Sequence, residues 1–181
     1  NMKKTIIILI FLFTCFTSFG QSYLGQVNKQ VNFREGAGIN YPVISSLKVG
    51  AQIFIISLET ENDFYNIIDI ANDKEGYIHK SYVKIGKLVS RSSGGVFSPE
   101  GESSEYNPEI SVLNNTSKKL SLKLNSNIYY FSPKESKIIK LEPGECDFRA
   151  SAPGVQPYIG TEYLDGNRRY SWQFYITTKR R

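Results

Sequence analysis

His79 is the single histidine of this 181-residue chain, and of its two cysteines, Cys15 and Cys146, only the second lies beyond residue 20. Thiol catalysis needs a thiolate and a histidine held by one scaffold, whereas His79 and Cys146 fall on opposite sides of a stretch rich in Ser, Gly, Glu and Pro. A Ser–His dyad meets the same obstacle, since the one imidazole would have to serve from inside a small domain. With no other histidine or cysteine beside it, His79 has no ligand set for zinc or another soft metal, and no cofactor is implied. Glu142, Glu145 and Asp147 cluster in sequence, but Glu145 flanks a turn and Asp147 falls on the solvent side of an alternating strand. A glycosidase pair must face itself across a cleft. The chain therefore reads as one that is not an enzyme.

Binding chemistry is what remains. Tyr41, Tyr65, Tyr77 and Tyr82 offer flat apolar faces with a polar tip, suited to peptides or glycans. Arg34 and Lys80 could hold a carboxylate, the guanidinium through two parallel hydrogen bonds. These six are the candidate ligand-binding residues. Tyr65 and Tyr82 read equally as residues at the edge of a core, and Arg34 as a brace for the turn at Gly36.

The elements that must position them are short strands. In Val31-Asn32-Phe33-Arg34 the apolar residues fall on one face and the polar ones on the other, the period of a half-buried strand. A flexible turn follows at Gly36-Ala37-Gly38, and Pro42 holds Tyr41 in an extended corner. Gly50 closes that segment, and Gln52–Leu58 is a strand with a nearly continuous apolar run. Phe64–Ile70 alternates as the next strand, and Gly76-Tyr77-Ile78-His79 opens a last one ending near Tyr82-Val83.

The order of these motifs resembles the bacterial SH3 domain family. Its pattern N-V-R-x-G-P-S, Y-P-V-I, L-x-x-G is represented by Asn32–Gly38, Tyr41-Pro42-Val43-Ile44 and Leu47-Lys48-Val49-Gly50. Its closing motifs W-Y-x-V, G-W-V-H and S-Y-V are represented by Phe64-Tyr65-Asn66-Ile67, Gly76-Tyr77-Ile78-His79 and Ser81-Tyr82-Val83. Both customary tryptophans are replaced, by Phe64 and Tyr77, which removes stacking surface and an N–H donor. The resemblance implies a small barrel over residues 23–88 that binds through an aromatic groove, often to cell-wall peptidoglycan.

Ahead of that domain, Lys3-Lys4, the apolar run Thr5–Phe16 and the small residues Ser18 and Gly20 have the layout of a cleaved secretory signal over residues 1–20. The run is well short of the roughly 20 apolar residues a spanning helix needs, so no transmembrane span is expected after cleavage. Lipidation at Cys15 is the competing reading. The chain is expected to be exported, to the periplasm or the extracellular space. The formal charge is +5; removing residues 1–20 takes Lys3 and Lys4 and no acid, leaving 20 basic and 17 acidic residues. A mildly basic exported protein meets little nucleic acid, and its charge favours anionic envelope polymers. Cys146, left alone, has no internal disulfide partner.

Residues 89–108 are dominated by Ser, Gly, Glu and Pro and read as a flexible linker that cannot bury enough apolar surface to offset its ordering entropy. Beyond it, residues 109–179 show short strands at regular spacing, the pattern of a small antiparallel β-sandwich. Leu120, Leu122 and Leu124 alternate cleanly. Cys146, Phe148 and Ala150 alternate with Asp147 and Arg149, which turns Cys146 inward. Asp165-Gly166 is a hairpin signal, Ala150–Tyr158 reads as a crossover loop, and Trp172 is placed at the centre of the core. The fold class is all-β.

The expected function is that of an exported, non-enzymatic adaptor whose barrel binds a cell-wall peptidoglycan peptide or glycan. A protein–protein scaffold in the bacterial envelope is the first alternative, and an accessory domain of a cell-wall hydrolase the second.

Overall fold

The computed structural model describes residues 20–176, so the expected signal and the basic end Lys179–Arg181 lie outside the described residues. The described residues form strands joined by turns, with one short 3-10 turn at Lys80–Tyr82. No helix among the described residues is long and apolar enough to cross a membrane.

The first seven strands are β1 (Tyr23–Val27), β2 (Val31–Arg34), β3 (Val43–Leu47), β4 (Gln52–Glu61), β5 (Phe64–Asp69), β6 (Lys74–His79) and β7 (Val83–Leu88). They form one antiparallel sheet in the order β3-β2-β6-β5-β4-β1-β7. β3 and β7 are its ends, so the expected barrel is not closed by hydrogen bonds. Phe33, Ile53, Ile55, Ile67 and Ile78 are fully buried on its inner face with Val27 and Leu47. The alternation in β2 holds, with Phe33 at 0 % exposure and Arg34 on the outer face.

The second unit contains β8 (Ser92–Ser93), β9 (Ser98–Glu102), β10 (Glu109–Asn114), β11 (Leu120–Leu124), β12 (Asn127–Phe131), β13 (Ser136–Lys140), β14 (Gly144–Ala152), β15 (Val155–Leu164) and β16 (Arg168–Phe174). One sheet runs β12-β11-β14-β15-β8, the other β13-β10-β16-β9. Between them lie Leu120, Leu122, Leu124, Phe148 and Trp172. Trp172 meets Phe97, Phe148 and Phe174 at centroid distances of 5.6, 6.0 and 5.9 Å, the central place expected for it.

Four expectations need correction. Residues 89–108 supply β8 and β9 rather than a flexible linker, because Phe97 enters the sandwich core and the buried Glu162 carboxylate accepts the backbone N–H groups of Val96 and Phe97. The sandwich is not purely antiparallel: β10 pairs with β16 and β15 with β8 in parallel. Asp165-Gly166 does not close a hairpin but passes the chain from one sheet to the other. The turn is held by Asn167 N–H on the Tyr106 carbonyl at 2.9 Å and by Asp165 N–H on the Tyr170 hydroxyl oxygen at 2.9 Å. Ala150–Tyr158, finally, is a hairpin of β14 and β15. Pro153 fits the second position of a type II turn, and Gly154 takes the positive φ of 75° that its third position requires.

The two units pack on each other. The outer face of the β14–β15 sheet lies against the first domain, where Phe54, Ile68, Ile70, Val89 and Ile159 form a buried apolar cluster. Around it, Ser121 Oγ donates to Asp73 Oδ2 at 2.6 Å, Gly154 N–H donates to the Ile70 carbonyl at 2.7 Å, and Arg149 pairs with Glu75. Burial alone would raise the Glu75 pKa. The Arg149 charge, hydrogen bonds from Asn66 and Arg149, and the Lys123 charge outweigh it and hold the carboxyl below its ordinary 4.5. A depressed folded-state pKa stabilises fully above the unfolded value and is lost as pH falls through the folded one. Melting temperatures measured across an acid series should therefore separate the wild-type chain from Glu75→Gln at neutral pH, with the gap closing below pH 4.5. A gap independent of pH would mean the pair contributes through packing alone.

Candidate functional site

On the outer face of the first sheet, β2, β6 and β5 lie side by side, and their register sets Arg34 opposite Tyr77 and Phe64 opposite His79. A cleft of about 410 Å3 opens there, lined by Gln30, Asn32, Arg34, Ile39, Phe64, His79 and Tyr82 among others. Its aromatic wall is built edge to face: the His79 ring lies 5.3 Å from Phe64 at 87° and 6.0 Å from Tyr82 at 70°. Such T-shaped contacts favour fixed ring positions beyond their buried area.

His79 Nδ1 accepts the Ser81 backbone N–H at 3.3 Å and lies 2.8 Å from Ser81 Oγ. An Nδ1 that accepts carries no proton, so the neutral ring holds its hydrogen on Nε2. The cleft thus offers a guanidinium, an imidazole N–H, two amide side chains and aromatic faces. That set can hold a carboxylate and lay an apolar group beside it.

The six residues expected from sequence divide. Arg34 and Tyr82 line the cleft. Arg34 also donates from Nη1 to the Tyr41 carbonyl at 2.8 Å, so it braces the Gly36–Tyr41 loop as well. Tyr41 is half exposed, with its ring over Gly36, where an added Cβ would come within 2.4 Å of it. Tyr77 shares the outer face with Arg34, and its phenol pKa is raised by burial and then by the charges of Glu61 and Glu75 and the Tyr41 hydroxyl. It stays a proton donor at neutral pH. Tyr65 packs partly against the inner core beside Ile67, on the opposite face from Tyr77. Lys80 is held by Asp63, 2.7 Å away, and that hydrogen bond first and the Asp63 charge second raise its pKa.

Sequence reasoning passed over Gln30, Asn32, Ile39, Phe64 and His79. Asn32 was legible as an outward position beside Phe33. Phe64 and His79 meet only through the β5–β6 register. Cys146, for its part, is 1 % exposed in the sandwich core. Burial, and then the charges of Asp147 and Glu162, push its thiol up to about 11, opposite to the low pKa a catalytic thiolate requires. Among the described residues no group of three or more His, Cys, Asp or Glu is placed to hold a metal ion.

The first unit is thus a small all-β domain with an aromatic-walled cleft on its outer face. Residues 29–84 match the model of the bacterial SH3 domain family, and this part of the chain is a bacterial SH3 domain. No curated protein matches the chain. Among solved structures, that of NlpC1 from Trichomonas vaginalis is similar at 15 % identity, covering 87 % of this chain and 49 % of the other, with a TM-score of 0.31. This chain spans about half the length of that one.

Proposed function

We propose that the protein is an exported, non-enzymatic adaptor whose SH3 domain holds a cell-wall peptidoglycan peptide or glycan in the cleft between Arg34, His79 and Tyr82. The observation that carries this reading is the meeting of a guanidinium and an imidazole N–H with an edge-to-face aromatic wall in one open cleft of about 410 Å3. Wall peptides end in carboxylates beside short apolar side chains, which is the pattern such a cleft complements.

Co-sedimentation with purified peptidoglycan tests it. Arg34→Ala and Tyr82→Ala should each weaken retention about tenfold, the effect of ~1.4 kcal/mol, while Lys80→Ala, whose ammonium is already paired with Asp63, should change it little. Retention no greater than that of a matched control protein would remove the proposal.

The second reading, a scaffold that docks envelope proteins, draws support from Ile39, Tyr41, Val43 and Val49. All four are large apolar residues left exposed. Pull-down from envelope extract that is lost in Val49→Ser, a position outside the cleft, while wall retention persists would favour it.

A further inference from the structure

The sandwich carries a second cleft, of about 480 Å3, at the open edge where its two sheets part. It exists because two short strands stop early. β9 follows β16 only as far as Ser171↔Ser98, and β8 meets β15 only at Gly160 and Thr161. The end of β16 from Trp172 and the start of β15 at Val155–Tyr158 therefore run on without those neighbours, and the cleft lies between them.

Its lining differs from the rest of the described surface: none of the described residues that border it is charged, in a chain of which 22 % of residues are charged. Tyr158 and Tyr175 present rings that are 43 % and 65 % exposed. The Tyr158 ring is fixed against Phe148 at 5.4 Å, and Trp172 lies deeper. Gln156 and Gln173 also line it, and the Gln156 amide, on the same face of β15 as Tyr158, adds a donor and an acceptor. A volume of this size is within the roughly 300–1,000 Å3 of small-ligand sites.

We infer that this cleft is a binding site for a neutral saccharide, with sugar rings laid on the Tyr158 and Tyr175 faces and hydroxyls bonded by the Gln156 amide. Among the described residues, none in the lining carries a charge that could replace the hydration an ionic ligand would lose. Strand addition by a peptide is disfavoured by the shortness of the free edge: beyond Ser171, β16 continues for three residues, too few for main-chain hydrogen bonds to supply the affinity. The inference is independent of the proposed SH3 ligand.

Trp172 is the only tryptophan in the chain, so its fluorescence reports this cleft and not the SH3 domain. A tetramer of β-1,4-linked N-acetylglucosamine and one of β-1,4-linked glucose should be titrated into the full chain, alongside an uncharged extended peptide of similar mass. The inference expects a saturable Trp172 signal with at least one saccharide. Affinity should fall about tenfold, or ~1.4 kcal/mol, in both Tyr175→Ala and Gln156→Ala, exposed positions whose replacement leaves the core intact. Three results would overturn it: no signal with either saccharide up to about 10 mM, weaker than any specific site of this size; a signal unchanged in both variants; or a signal from the peptide alone.

Discussion

Phe54→Ala is expected to lower the stability of the whole chain by about 3–5 kcal/mol, the usual effect of emptying an aromatic core position, and to separate the unfolding of its two halves. Phe54 is 1 % exposed and sits among Ile68, Ile70, Val89 and Ile159 in the cluster shared by the two domains. Its neighbours Ile53 and Ile55 face the other way, into the SH3 core, so the substitution weakens the junction while leaving that core filled. Urea unfolding followed by Trp172 fluorescence reports the sandwich alone, and far-UV circular dichroism reports both units. In the wild-type chain the two curves should coincide, as they do when one cooperative unit unfolds. In the variant the dichroism should develop a second step. Curves that still coincide after the substitution, or a loss below ~1 kcal/mol where a filled aromatic site should lose more, would mean that the buried cluster does not couple the domains.

The junction was written in the sequence, but in a form that period-2 reading does not resolve. Gln52–Leu58 is apolar almost without interruption, and Ile67-Ile68 repeats the feature. A run of this kind marks a strand covered on both faces. One cover is the core of the same domain; the other, Ile159, lies about ninety residues further on and signals nothing locally. The same reason hides the order of residues 89–108. Their composition is that of a linker, and what fixes them is a single aromatic, Phe97, and a carboxylate, Glu162, that only the folded β15 brings to meet their amides.

Turn chemistry was a better guide to bends than to pairing. Asp165-Gly166 does turn the chain, yet whether the flanking strands pair or part depends on β14 and β8 on one side and β10 and β9 on the other. At the candidate site, Arg34 and Tyr82 could be read from alternation and residue type. His79 is a strand residue packed against Phe64 and Tyr82. That packing is also what makes it part of the cleft wall.

Gly76→Ala should damage stability and binding together. A Cβ at this position would lie 2.5 Å from the Arg34 carbonyl oxygen, 2.6 Å from Phe33 Cε2 and 2.8 Å from Ile44 Cδ1. The first of these is backbone and the second belongs to a side chain with no exposure, so neither can turn aside. β2 must move away from β6, and their register is carried by the Arg34↔Tyr77 pair, of which Arg34 lines the cleft. Overpacking of this kind is worth about 1–3 kcal/mol and at times more. Gly50→Ala supplies the contrast. Gly50 has a φ of +82° and nothing within 4 Å of an added Cβ, so that substitution bears only left-handed backbone strain, about 1–2 kcal/mol. Denaturant titration should therefore show both variants destabilised, with Gly76→Ala the worse. Peptidoglycan retention per folded molecule should fall in Gly76→Ala alone, because only there is Arg34 displaced. Equal retention in the two variants would place the bound ligand away from the β2–β6 seam.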